Sequence, residues 1–119
     1  MQPLRAIVAV TLALAGAACA MPVVAAPPAV TRDGVRFVLI KEDASSVSLA
    51  GTFNQWSASS HPLVRQKVHG PWTIVVPLPP GEHAFMFLVD GKEWVSPPMA
   101  EDYADDGFGA RNGIVVVRR

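Results

Sequence analysis

The sequence predicts an all-β fold, an immunoglobulin-like antiparallel β-sandwich of about seven short strands preceded by a signal peptide. Three observations predict it. Apolar residues alternate with a period of two in several short segments after Val35, and Gly, Pro and Asp turn signals separate those segments. No segment after Val30 keeps a 3.6-residue period without a Pro, a Gly or a β-branched run breaking it. Cys19 is the single cysteine, so the two sheets must pack on apolar side chains without an intrachain disulfide.

The predicted strands follow one another at short intervals. The first is separated from the second by the polar turn Lys41 to Ser45, and a hairpin around Gly70-Pro71 joins the third and the fourth. Pro79-Pro80-Gly81 then breaks the pattern, and Asp90-Gly91 is a two-residue hairpin turn. The predicted strands cover residues 35–40, 46–53, 64–69, 72–77, 83–89, 92–95 and 114–117.

Length and charge narrow the classes of function. The chain has 119 residues, of which 50% are apolar, and ten Lys and Arg are balanced by ten Asp and Glu. A net charge of zero gives no electrostatic basis for binding nucleic acid. The roughly 90 residues after the N-terminal segment can bury about 60–65% of the surface of their unfolded chain, which suits one small domain and excludes a two-domain enzyme.

The N-terminus has the order of a secretory signal peptide. Arg5 is the only charged side chain in the first 30 residues, residues 6–18 are uncharged and mostly apolar, and small residues follow. The sequence fits two ways of processing the signal peptide. One is ordinary cleavage near residue 20 or 26, and the other is a lipobox whose Cys19 becomes lipidated, although Gly16 departs from that motif. We assign residues 1–26 to the signal peptide with a short Ala/Pro/Val segment, 27–34 to an extended linker and 35–119 to the β-sandwich.

Residues that could carry catalysis are few. The three histidines have no metal-ligand spacing, and Gly107-Phe108-Gly109 lacks the third glycine of a phosphate loop. We interpret the histidines as solvated or locally bonded, and the acidic residues near the C-terminus as a solvated turn. The chain is therefore predicted to be a non-enzyme without cofactor or metal. The residues concerned are His61, His69, His83, Glu101, Asp102, Asp105 and Asp106.

Two tryptophans indicate a binding surface. Trp56 lies in the polar loop 54–60 and Trp94 follows a hairpin turn, whereas Trp72 opens an apolar run and is predicted to pack in the core. An indole on a surface loop offers a flat apolar face to a sugar ring. Covering about 60 Å² of it contributes on the order of 1.5 kcal/mol.

Three sequence blocks resemble a known family. They are Val47-Ser-Leu-Ala-Gly-Thr-Phe-Asn-Gln-Trp56, Leu78-Pro-Pro-Gly-Glu-His-Ala-Phe-Met-Phe-Leu-Val-Asp-Gly91 followed by Trp94, and Asp105-Asp-Gly-Phe-Gly-Ala-Arg-Asn-Gly-Ile114. In this order and spacing they resemble the family 48 carbohydrate-binding module. That family includes the glycogen-binding domain of the AMP-activated protein kinase β subunit and the N-terminal early-set domains of isoamylases and branching enzymes. The resemblance covers about residues 35–117.

The resemblance implies an immunoglobulin-like sandwich that binds α-1,4-glucans such as glycogen, starch or maltooligosaccharides. It implies that Trp56 and Trp94 stack on glucose units, that Phe108 takes the place of an inserted leucine, and that Asn112 bonds hydroxyl groups. Met86 stands where the kinase domains have a lysine, and Lys92 in the following turn is the candidate replacement donor.

The sequence therefore predicts a non-catalytic α-1,4-glucan-binding module that is exported to the periplasm or secreted. A glucan-active enzyme or another envelope protein is a further candidate partner, and the membrane is reached only through a lipid anchor at Cys19. The alternative hypothesis is an exported protein-interaction or structural module with the same fold. In that case the Trp pair, or the apolar strand face of Ala84, Met86 and Leu88, would contact a protein.

Overall fold

Among the described residues, eight strands form two antiparallel sheets that pack as a sandwich, which confirms the predicted fold class. The structure is a computed structural model, and it describes residues 25–118. Most of the predicted signal peptide, including Cys19, lies outside the described residues. The strands are β1 (Ala29–Thr31), β2 (Gly34–Leu39), β3 (Val47–Gly51), β4 (Trp72–Val76), β5 (Gly81–Val89), β6 (Glu93–Val95), β7 (Asp102–Asp105) and β8 (Arg111–Val117), with a 3-10 turn at Thr52–Asn54 after β3.

The two sheets differ in size. One has three strands in the order β1-β2-β4, and the other has the order β3-β5-β8-β7, with β6 also paired to β5. Strand β5 is central because it pairs with β3, β6 and β8. Ala29–Thr31, within the segment expected to be an extended linker, forms the short edge strand β1 and pairs with β2.

The core lies between the sheets. It is built from the inward-facing residues of the strands, which alternate with outward-facing residues along each strand. The Phe37 ring on β2 meets the Phe85 ring on β5 edge to face, with 4.9 Å between centroids. Trp72 is 7% exposed, which confirms its predicted core position, and its Nε1 donates to the Lys41 carbonyl oxygen at 3.1 Å. The largest fully buried side chains are those of Phe37, Phe85, Phe87, Leu39, Leu49, Val35, Val47 and Val89.

The second half of strand β5 is buried on both faces. Phe85, Phe87 and Val89 point into the core between the sheets, so Met86 and Leu88 lie on the outer face of the five-stranded sheet. Met86 and Leu88 are each only 5% exposed. The outer face that the alternative hypothesis offered to a protein partner is therefore largely covered already.

The predicted strand over residues 64–69 is wrong. Val64 forms only an isolated bridge with Thr73, and the Gly70 N–H donates to the Lys67 carbonyl oxygen at 2.8 Å, which closes a turn. Val68 is 79% exposed. Gln66 breaks the apolar alternation at the centre of the segment, so a strand here would have no continuous face to bury.

The interpretation of the acidic segment as a solvated turn is also wrong in part. Asp102–Asp105 forms β7, whose residues pair with β8 from Ile114 back to Arg111, so the last strand begins three residues before its predicted start. Asp has a low intrinsic strand propensity, and pairing with a neighbouring strand decides the conformation here. A short, charged edge strand also discourages pairing with other chains.

Within residues 25–118, no helix has the length and apolar character needed to cross a membrane.

The Asp-Gly turn after β5 is tied to the loop between β2 and β3. Asp90 Oδ1 accepts hydrogen bonds from the backbone N–H groups of Ser45 at 2.7 Å and Ser46 at 3.0 Å. The Asp90 N–H donates to the Ser46 carbonyl oxygen at 2.9 Å. The bonds from Ser45 and Ser46 hold the pKa of the Asp90 carboxyl below its ordinary value because they favour the charged form.

We expect the Asp90 carboxylate to make stability depend on pH in the acid range. Its pKa is lower in the folded state than in the unfolded state, so its contribution is present above the unfolded pKa and is lost as the pH falls through the folded pKa. Asp90→Asn should therefore flatten the pH dependence of the free energy of unfolding between about pH 5 and pH 2. Urea unfolding at a series of pH values measures this. An unchanged profile for Asp90→Asn would contradict the assignment.

Candidate functional site

Four predicted site residues surround one cleft on the outer face of the five-stranded sheet. The cleft has a volume of about 620 Å³, and the buried Met86 side chain lies among its lining residues. We call it the aromatic cleft. It is lined by Trp56, Met86, Trp94, Asp106, Phe108, Ala110 and Asn112.

Trp56 is presented by an unusual backbone. Gln55 and Trp56 both adopt left-handed conformations, with φ of 55° and 57°. This costs roughly 1–2 kcal/mol for each residue that is not glycine. The Trp56 N–H donates to the Gly51 carbonyl oxygen at 2.9 Å, and the side chain is 36% exposed. The loop therefore needs a local source of stabilisation.

Asn54 supplies that stabilisation. Its side chain is buried, and its Oδ1 accepts hydrogen bonds from the N–H groups of Gly51 at 3.0 Å and Ser57 at 3.2 Å. Its Nδ2 donates to the Leu49 carbonyl oxygen at 3.0 Å and lies 2.8 Å from His61 Nδ1. The amide thus bridges the end of β3 to the residue that follows Trp56, and it clamps the two left-handed residues between its partners.

Trp94 is placed by strand pairing. It lies on β6 directly opposite Leu88 of β5, three residues after the Asp90-Gly91 turn. Its side chain is 48% exposed. The indole therefore sits on the same outer face as Met86 and Leu88, with half of its surface open to solvent.

Phe108 is held out into solvent by a closed loop. The loop between β7 and β8 has left-handed glycines on either side of Phe108, with φ of 84° at Gly107 and 94° at Gly109. Asp106 Oδ1 accepts hydrogen bonds from the N–H groups of Phe108 at 2.7 Å and Ala110 at 3.1 Å, and the Asp106 N–H donates to the Ala110 carbonyl oxygen at 3.0 Å. The Phe108 side chain is nonetheless 93% exposed.

The polar groups of the aromatic cleft are few. Asn112, half-buried on β8 opposite Ala104, brings a neutral amide that both donates and accepts. Asp106 is the one charged residue among the lining residues that the structure describes. Lys92 is exposed in the β5–β6 turn and does not line the cleft. The cleft is therefore suited to a ligand with apolar faces and neutral hydrogen-bonding groups.

Among the described residues, the lining of the aromatic cleft includes a single carboxylate. Glycoside hydrolysis uses a pair of carboxyl groups at a set separation. The lining residues within 25–118 include one carboxylate, Asp106, and its Oδ1 is bonded to backbone N–H groups. Across the same described residues, no group of three or more His, Cys, Asp or Glu is placed to hold a metal ion.

Other surface depressions differ in composition. One of about 570 Å³ lies against the three-stranded sheet, with Arg36 and Thr73 among its lining residues. Another of about 530 Å³ adjoins the β1–β2 turn. Neither is lined by Trp, Tyr or Phe, so the aromatic cleft stands apart from both by its three aromatic rings.

Sequence reasoning missed three contributors to the aromatic cleft. The sequence pattern marks Met86 only as a departure from a lysine and as part of an apolar face, and Asp106 only as an acidic turn residue. It predicts no role for the Asn54 side chain. A signal existed for Asp106, because an Asp followed by Gly is typical of a turn in which the carboxylate bonds the backbone two residues on.

The similarity to known proteins agrees with this geometry. Residues 36–119 match the family model described as the glycogen recognition site of AMP-activated protein kinase. The chain belongs to this family. Over 78 residues, 66% of this chain, it is 35% identical to the 5'-AMP-activated protein kinase subunit beta-2 of Homo sapiens. Over 52 residues, 43% of this chain, it is 42% identical to the 1,4-alpha-glucan branching enzyme of Burkholderia vietnamiensis.

Family membership makes the domain a carbohydrate-binding module of the glycogen-recognition type, a non-catalytic kind of domain. The matched region is a small part of its longer relatives. It covers 27% of the human kinase subunit and 7% of the branching enzyme. It also covers 55% of the 5'-AMP-activated protein kinase subunit beta-1 of Sus scrofa, with 38% identity over 73 residues.

We expect Asp106 to hold the Phe108 loop of this glycogen-recognition module closed. Asp106→Ala removes the acceptor of two backbone hydrogen bonds, and the N–H groups of Phe108 and Ala110 should then exchange with solvent about tenfold faster. Amide hydrogen exchange followed by NMR measures this. Asp106→Asn keeps an oxygen acceptor in the same place and should retain most of the protection. Equal exchange rates in Asp106→Ala and the parent would show that the carboxylate does not close the loop.

Proposed function

We propose that the domain binds α-1,4-linked glucans such as glycogen, starch or maltooligosaccharides, with glucose rings stacked on Trp56 and Trp94. The observation that supports this is the aromatic cleft. Two partly exposed indoles and a solvent-exposed phenylalanine surround one cleft of about 620 Å³, in a chain that belongs to a glycogen-recognition family. The names of the relatives point to the same ligand class, since one is a 1,4-alpha-glucan branching enzyme.

Stacking supplies the affinity in this proposal. The C–H groups of a glucose ring form an apolar face, and covering about 60 Å² of one indole contributes on the order of 1.5 kcal/mol. Two indoles and Phe108 contribute additively only if the rings are already in place, because ordering them on binding would offset part of the gain. The bonds made by Asn54 and Asp106 keep both loops ordered before the ligand arrives. Affinities in the micromolar to millimolar range follow.

Hydrogen bonding selects the orientation of the sugar. We assign the hydroxyl contacts to Asn112, whose amide offers two donors and an acceptor. Met86 removes the donor that the resemblance placed on β5, and Lys92 lies outside the described cleft lining. Without a cation in that lining, the cleft favours neutral glucans over phosphorylated ones, which would approach the Asp106 carboxylate with like charge.

We expect Trp56→Ala and Trp94→Ala each to weaken binding of maltoheptaose about tenfold or more, because each removes one stacking surface. The double variant should show no retention on glycogen. Isothermal titration calorimetry with maltoheptaose measures the single variants, and circular dichroism checks that each remains folded.

Two controls accompany these variants. Val68→Ala changes an exposed apolar residue away from the aromatic cleft and should bind as the parent does. Cellohexaose, which has β-linked glucose, should not compete. A double variant that is folded and keeps the parental affinity would exclude stacking on these indoles. A parent that binds no glucan at all would favour the protein-interaction module instead.

We further propose that the module is exported to the periplasm or secreted, on the order of charged, apolar and small residues in its first 26 positions. Cleavage near residue 20 or 26, or lipidation at Cys19, would then define the mature N-terminus. Fractionation of a bacterial host that expresses the whole chain, with mass spectrometry of the product, measures both. Cys19→Ala should release the protein from membranes only if the cysteine is lipidated. An uncleaved product in the cytoplasm would refute export.

A partner protein is also part of this proposal. A glucan-active enzyme or another envelope protein is the expected class, since the matched region forms only a small part of enzyme and kinase relatives. Such a partner should co-purify with the exported module when cells are cross-linked, and recovery of the module alone would count against it.

A further inference from the structure

We propose that His61 is a positioning residue for the aromatic cleft. In its neutral form it holds the Trp56 loop in the glucan-binding conformation, and its protonation loosens that loop and lowers affinity. The inference rests on the proposed glucan binding for its functional consequence. Its structural part, the link between His61 and the Trp56 loop, stands on hydrogen-bond geometry.

The orientation of the Asn54 amide is fixed by its backbone partners. Two N–H groups, from Gly51 and Ser57, point at Oδ1, so that atom must be the oxygen. The Leu49 carbonyl oxygen accepts a hydrogen bond from Nδ2, which must therefore be the NH₂ group. Reversing the amide would set donors against donors at two of these positions.

This orientation determines the state of His61. Asn54 Nδ2 can only donate, and it lies 2.8 Å from His61 Nδ1. His61 Nδ1 is therefore the acceptor and carries no proton, so the neutral imidazole has its proton on Nε2. With His61 included, the Asn54 amide makes four hydrogen bonds and has no capacity left for water.

Protonation of His61 places two donors against each other. Both ring nitrogens of a charged imidazole are donors, so Nδ1–H would face the NH₂ group of Asn54. Asn54 is 8% exposed and cannot turn its amide without breaking the bonds to Gly51, Ser57 and Leu49. The two donors can separate only if the His61 ring or the Asn54 side chain moves.

Movement of the Asn54 side chain would affect the backbone at Trp56. Trp56 and Gln55, both in left-handed conformations, lie between Asn54 and Ser57, whose N–H group bonds the Asn54 side chain. These conformations are unfavourable without local support. Loss of the Asn54 anchor therefore releases the backbone that presents the indole.

An aromatic ring lies next to His61. The Phe53 ring meets His61 edge to face at 5.7 Å. The other rings next to Phe53 are those of Phe37, at 6.2 Å, and His83, at 6.4 Å. His83 Nε2 lies 2.8 Å from the Pro79 carbonyl oxygen. Within residues 25–118, no salt bridge involves His61 or His83, and the loop from Asn54 to His61 carries no other titratable side chain.

The test measures maltoheptaose affinity by calorimetry at pH 8 and pH 5.5, a range over which histidine side chains gain a proton. The parent should bind about five- to tenfold more weakly at pH 5.5, which is the effect of losing one buried hydrogen bond. His61→Asn should bind equally at both pH values, because its Oδ1 can replace the Nδ1 acceptor and does not titrate. His61→Ala should bind weakly at both, and His83→Asn should keep the parental pH dependence.

A second measurement separates this inference from the proposed function. NMR of the sugar-free protein follows the Trp56 indole N–H and the Ser57 amide across the same pH range. Both signals should shift with pH in the parent and stay fixed in His61→Asn. If maltoheptaose fails to bind the parent at pH 8, the proposed function fails, and these signals still decide whether His61 controls the loop. Signals and affinities that respond to pH in His61→Asn as they do in the parent would overturn the inference.

Discussion

Burial of both faces of β5 is the constraint on which the rest of the structure depends. An antiparallel sheet can leave one face in water, yet the second half of β5 is buried throughout, with aromatic residues toward the core and Met86 and Leu88 outside. The outer face needs apolar cover. Trp94, opposite Leu88, and Trp56, which shares the aromatic cleft with Met86, lie where that cover is needed. The buried outer face of β5 thus gives the two indoles a surface to pack against, while part of each indole stays exposed to solvent.

The two loops at the aromatic cleft solve one physical problem in different ways. Each must present a large apolar ring to water, a position that the hydrophobic effect opposes. At Trp56 the backbone is strained, and the buried Asn54 amide offsets that strain with four hydrogen bonds. At Phe108 the flanking glycines adopt left-handed conformations without strain, and the Asp106 carboxylate closes the loop. Both loop backbones are thus held by hydrogen bonds, which would limit the backbone entropy lost if a ligand bound there.

How far the sequence predicts this molecule depends on the range of the interactions involved. The alternation of apolar residues predicted β5 because the inward-facing positions of that strand form an unbroken apolar row. The same pattern failed at Val64–His69, where exposed valines flank Gln66. It also missed β7, whose conformation depends on pairing with β8. Trp56 and Trp94 could be selected from their loop and turn positions alone. The role of Asn54 could not, because its amide partners become neighbours only after the chain turns back on itself through consecutive left-handed residues.

The placement of β1 separates the start of the domain from its recognition face. Strand β1 is an edge of the three-stranded sheet, whereas the aromatic cleft lies on the outer face of the other sheet. Ala29 and Trp94 therefore lie on different sheets of the sandwich. A tag, a surface linkage or a fused protein joined ahead of Ala29 would attach on the far layer and leave the cleft pointing away from the support. A module immobilised in this way would present the aromatic cleft to solvent.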